Sequence, residues 1–132
     1  TAIAAGVAPR ETARLSVVLD AQRQELFVAD FTARSPLEQA WPETRVLPIA
    51  DWLAELRTGD SVAGPPLATL RDRVAEGVIV TDEATWHPRA AMVGAVGVEL
   101  ARRGEAVDPL TLTPHYHRRS APEEKAARSQ GR

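Results

Sequence analysis

Asp20, Arg23 and Glu25 set two carboxylates and a cation around one short polar stretch between apolar runs. A hydrolase would use such carboxylates as a general acid and base. Surface turns collect the same groups for a plainer reason: they stabilise the turn and pair across a strand edge. The turn reading is adopted, and no catalytic role is assigned. His115 and His117 alternate around Tyr116. On a strand, residues i and i+2 share a face, so two imidazoles could share a metal there. His87 is the only other histidine and the chain has no cysteine, so no metal site is assigned. Gly64–Pro65–Pro66 is a turn of the kind that could lie against a nucleotide. A phosphate cradle needs free backbone N–H donors, and proline removes the donor and fixes φ. A loop that starts the next helix is therefore preferred, and no cofactor is assigned. Arg118, Arg119, Lys125, Arg128 and Arg132 bias the tail towards positive charge, offset by Glu123 and Glu124. A contact to a nucleic-acid backbone is one reading; a solvated tail without aromatic stacking partners after Tyr116 is the preferred one.

These residues need elements to hold them. Leu15–Phe31 (LSVVLDAQRQELFVADF) contains two strand-like runs rich in β-branched and aromatic residues, with Asp20–Gln24 as the polar break. The break suits a β-hairpin, although it has no glycine to ease a positive φ. Glu43–Leu47 is a third short strand. Pro48 sits where a helix can start; Ile49, Trp52, Leu53 and Leu56 recur at helical spacing, and Gly59 is placed to end it. Ser61–Gly64 is a weak strand signal. Pro66 opens a second helical segment carrying Leu67, Leu70 and Val74 on one face, closed by Gly77. Val78–Val80 is short and wholly apolar, as expected of a strand buried in a sheet. Pro88–Arg103 is the best helix, with Pro88 in its first turn, Arg102 and Arg103 at its negative end and Gly104 at the C-cap. Gly94, Gly97 and Ala101 put small residues along one side, and close packing on a sheet would offset the propensity lost at each glycine. Val107–Arg119 reads as an extended, proline-punctuated strand. Trp41, Trp52 and Trp86 are candidate core or subunit-contact residues.

Bulk properties narrow the function classes. A chain of 132 residues can bury one real core. Sixteen basic and eighteen acidic side chains leave a net charge of −2, which gives no footprint for autonomous nucleic-acid binding. With no cysteine there is no disulfide framework, which fits a reducing cytoplasm. The apolar stretch Ala90–Val98 is too short to span a bilayer, so no membrane role is expected. The element order, strand, strand, strand, helix, strand, helix, strand, helix, predicts an α/β fold with a mixed sheet covered by helices. It is also the order of one lobe of a ribonuclease-H-like, actin-like fold.

Two segments resemble the TsaB (YeaZ) family, the non-catalytic partner of the enzyme that installs threonylcarbamoyl on the adenosine beside the tRNA anticodon. The hairpin resembles that family's D-A-R-x-G-E-V-Y pattern through Asp20, Ala21, Glu25, Leu26 and Phe27, with Gln22 in place of Arg, Gln24 in place of Gly and Arg23 as the substitute cation. The C-terminal stretch resembles D-P-x-x-L-x-P-x-Y-x-R-R through Asp108, Pro109, Leu112, Pro114, Tyr116, Arg118 and Arg119, with His117 in place of Leu. Pro88, Arg89, Ala90 and Ala91 look like the family's P-x-A-A helix start. The resemblance implies that residues 1–119 are the second of two actin-like lobes, with the first lobe missing upstream of TAIAAGVA; the polar stretch 120–132, which lacks apolar anchors, is expected to be a disordered tail. It further implies a cytoplasmic, non-enzymatic subunit with TsaD and TsaE as partners, reaching tRNA only through the complex. The competing expectations are a degenerate actin-like ATPase or peptidase remnant, and a stand-alone domain that associates with itself.

Overall fold

The computed structural model describes residues 2–7, 14–31 and 42–113. It is a mixed α/β structure: α1 (Ala2–Gly6), β1 (Leu15–Asp20), β2 (Glu25–Phe31), β3 (Thr44–Pro48), α2 (Ile49–Glu55), β4 (Ser61–Ala63), α3 (Leu67–Leu70), β5 (Ile79–Val80) and α4 (Ala90–Arg102). Short 3-10 turns follow at Arg71–Arg73 and Glu83–Thr85. One five-stranded sheet runs β3-β2-β1-β4-β5. β2 is antiparallel to both β1 and β3, whereas β4 is parallel to both β1 and β5.

The register explains the core. Val18 lies opposite Val28, and Ser16 opposite Val62, so their side chains share one face of the pleat. Val18, Val28, Leu26 and Val62 are all buried. α2 closes this face with Trp52, whose indole N–H donates to the Ser16 hydroxyl at 3.1 Å. That bond gives the one polar atom of a buried indole a partner, so the ring can be enclosed without a desolvation penalty. Trp86 is buried in the same economical way, donating its indole N–H to the Thr81 carbonyl at 3.1 Å. Trp52 and Trp86 are thus core residues; Trp41 lies outside the described residues.

The hairpin forms where the two β-branched and aromatic runs meet at the polar break, and its turn resolves the missing glycine. Ala21 N–H donates to the Glu25 carbonyl at 3.0 Å, and Glu25 N–H returns to Gln22 at 3.0 Å. Arg23 and Gln24, the central residues of that inner turn, have φ of 54° and 63°, and Gln22 precedes them at 66°. Positive φ at both central positions matches the twist of the two strands, so the sheet imposes on three ordinary side chains a geometry that glycine would adopt freely.

Several expectations need correction. α3 is a single turn ending at Leu70, not a helix running to Gly77; Val74 is already extended. Gly77, with φ of 86°, belongs to the turn that leads into β5. β5 is half-buried because it is the edge strand beside β4, not an interior one. Pro88 stands two residues before the first residue of α4, where Arg89 is the N-cap. Residues 107–113 form no strand: Asp108 accepts from Leu110 N–H at 2.9 Å, and Thr111 N–H closes on the Asp108 carbonyl at 3.0 Å. Aspartate at the first position and Pro109 at the second are what such a turn favours. Finally, a Cβ added to Gly94 or Gly97 would meet nothing within 4 Å among the described residues, so close packing on the sheet does not account for these glycines. α4 instead lies against α1, near which Met92 approaches Gly6.

Candidate functional site

At the hairpin end of the sheet, the strands deliver Asp20, Arg23, Glu25 and Phe27 to one loop and its two stems. Asp20 is exposed. Its Oδ1 accepts the Gln22 backbone N–H at 2.8 Å and its Oδ2 the Gln22 side-chain amide at 3.2 Å. Both oxygens of the carboxylate are therefore spent on the turn two residues away, an Asx-type closure. The turn is also fastened from outside: Ile49 N–H, at the start of α2, donates to the Gln24 carbonyl at 2.9 Å. One of the amides that a helix start leaves open thus holds the hairpin.

Beside β1, the chain leaves β4 through Gly64. Its φ is 138°, and a Cβ there would lie 2.0 Å from the Val18 carbonyl oxygen. Only glycine can pass so close to the backbone of β1. The amides that follow are all engaged: Leu67 donates to Gly64, Ala68 to Pro65, and Thr69 and Leu70 to Pro66, each at 3.1 Å. A phosphate cradle requires such donors to be open, so the arrangement around Gly64–Pro65–Pro66 starts a helix and offers no anion these N–H groups.

The opposite end of the sheet carries the densest charge chemistry, and the sequence did not reveal it. Arg14 Nη2 meets Asp60 Oδ2 at 2.7 Å, with Nε at 3.2 Å from the same oxygen. Its Nη2 also donates to the Glu55 carbonyl at 3.0 Å, and Nη1 lies 3.5 Å from Asp30. Arg45 grips both Glu55 oxygens at 3.1 and 3.0 Å and reaches Asp30 at 2.9 Å. Asp60 is only 3% exposed and also accepts the Arg57 backbone N–H at 3.0 Å. Burial, the largest single influence, pushes the Asp60 carboxyl up, but the Arg14 and Arg57 hydrogen bonds and the charges of the same two arginines together outweigh it and hold the group below its ordinary value. Hydrogen bonding from Arg45 likewise holds Glu55 low, against a smaller opposing effect of burial. The same bond to Glu55 leads the causes that raise Arg45. The network joins the start of β1, the end of β2, β3, the end of α2 and the approach to β4. It is a clamp in which two arginines bridge the carboxylates of Asp30, Glu55 and Asp60.

The signature residues thus divide. Asp20, Arg23, Glu25 and Phe27 come together at the hairpin. Pro88 and the Asp108–Pro109 turn flank the two ends of α4. Pro114, Tyr116 and Arg118, together with His115, His117 and the tail from Ser120, lie outside the described residues. Among the described residues no group of three His, Cys, Asp or Glu side chains could hold a metal ion, and no helix is long and apolar enough to cross a membrane. Compared with known proteins, the chain matches no family model and no curated protein.

Proposed function

We propose that this chain is the second lobe of a TsaB-like protein, with a ribonuclease-H-like, actin-like fold, acting as a non-catalytic cytoplasmic subunit in tRNA threonylcarbamoyladenosine modification. The observation that carries the reading is the sheet: an antiparallel β1-β2-β3 unit continued by parallel β4 and β5, with the signature hairpin at its head. The occupied state of the hairpin carboxylate supports a shape-holding role for Asp20. So does the engagement of the amides after Gly64. In this reading TsaD performs the chemistry, TsaE joins the assembly, and tRNA is met through the complex.

The test is co-expression of the complete reading frame encoding this chain with TsaD and TsaE, followed by size-exclusion chromatography with light scattering. Co-elution with TsaD at a defined stoichiometry supports the reading. Separate elution of folded partners overturns it. A parallel thermal melt with ATP–Mg²⁺ and with Zn²⁺ separates the enzyme alternative, because a ligand that binds only the native state raises its melting temperature.

A further inference from the structure

We draw no further inference here: the strongest candidate, the exposed apolar outer face of α4 around Val93, Gly94, Gly97 and Val98, is an unpartnered helix face, and nothing in the structure shows what covers it.

Discussion

The two ends of the sheet use charge in opposite ways. At the hairpin end, the Asp20 carboxylate bonds, among the described residues, only to Gln22 two positions along the chain. At the other end, Arg14 reaches Asp60 across 46 positions and the Glu55 carbonyl across 41. The first pattern stabilises a loop that is already local. The second ties together segments that are distant in sequence, including the buried carboxylate of Asp60. Burial alone does not make a carboxylate a catalytic candidate: the most enclosed acid in the described chain is held down by arginine and serves the fold. The hairpin turn, by contrast, is largely exposed, its Asp20 carboxylate closes on a near neighbour, and it is tied to α2 by the Ile49 N–H bond to the Gln24 carbonyl.

The comparison can be broken most severely at neither carboxylate but at the glycine beside the hairpin. Gly64→Ala places a methyl group on the Val18 carbonyl in a backbone conformation that side chains rarely adopt. The expected loss is about 3 kcal/mol or more, read by urea unfolding. A variant within about 0.5 kcal/mol of wild type, the range of ordinary surface changes, would show that β1 and the exit of β4 are not in contact.

Next in size is the clamp. Asp60→Ala removes the acceptor for Arg14 and for Arg57 N–H, at an expected cost of about 2–3 kcal/mol. Arg14 is partly exposed and keeps Asp30 nearby, which limits the penalty. Asp20→Ala should cost only about 0.5–1 kcal/mol, since its partners are exposed and local. Equal losses in the two variants, measured in the same unfolding series, would erase the distinction between the ends.

Acid sharpens the same contrast. The ordinary values for Asp60 and Glu55 are 3.8 and 4.5, and both groups sit below them in the folded protein. The unfolded chain therefore takes up these protons first as pH falls, and stability rises with pH across that interval. The contribution is complete above about pH 5 and is lost progressively as pH drops through the lowered folded values. Melting temperature plotted from pH 6 to pH 3 should owe no change to these groups above about pH 5 and should fall below it, and Asp60→Asn should flatten the lower part of the curve. An unchanged slope in that variant would remove Asp60 from the account.

The smallest effect is a gain. Gln24 has φ of 63° in the inner hairpin turn. Gln24→Gly relieves a left-handed conformation that costs an ordinary residue about 1 kcal/mol, offset in part by the greater freedom of glycine in the unfolded chain. A net rise of a few tenths of a kcal/mol is expected by the same reasoning, visible as a higher melting temperature.

What the sequence disclosed follows from the range of the interactions involved. β1, β2, β3 and the start of α2 were legible because strand-favouring runs, polar breaks and proline placement act within a few residues. The short β4 was also readable, although weakly, from Ser61, Val62 and Ala63. The length of α3 was not: Leu67, Leu70 and Val74 keep helical spacing, yet the α-helix ends after one turn, tightens into a 3-10 turn at Arg71–Arg73, and Val74 is extended. Asp108–Pro109 was misread as extended because proline suits both a strand edge and the second position of a turn. The Arg14–Asp60 clamp carried no local signal, since nothing near Arg14 announces a partner 46 residues away. The hairpin residues Asp20, Arg23, Glu25 and Phe27 were found by pattern, but the use of both Asp20 oxygens by Gln22 emerged only from geometry.

The central claim is the functional one, and a single measurement addresses it. The complete reading frame encoding this chain would be expressed in bacteria depleted of their own TsaB, and threonylcarbamoyladenosine in bulk tRNA quantified by mass spectrometry. The account predicts that the modified nucleoside returns towards its normal level, and that it does so equally with Asp20→Asn, which keeps the turn but removes the charge. Expressed, folded protein that leaves the nucleoside at the depleted level would contradict the TsaB-like assignment.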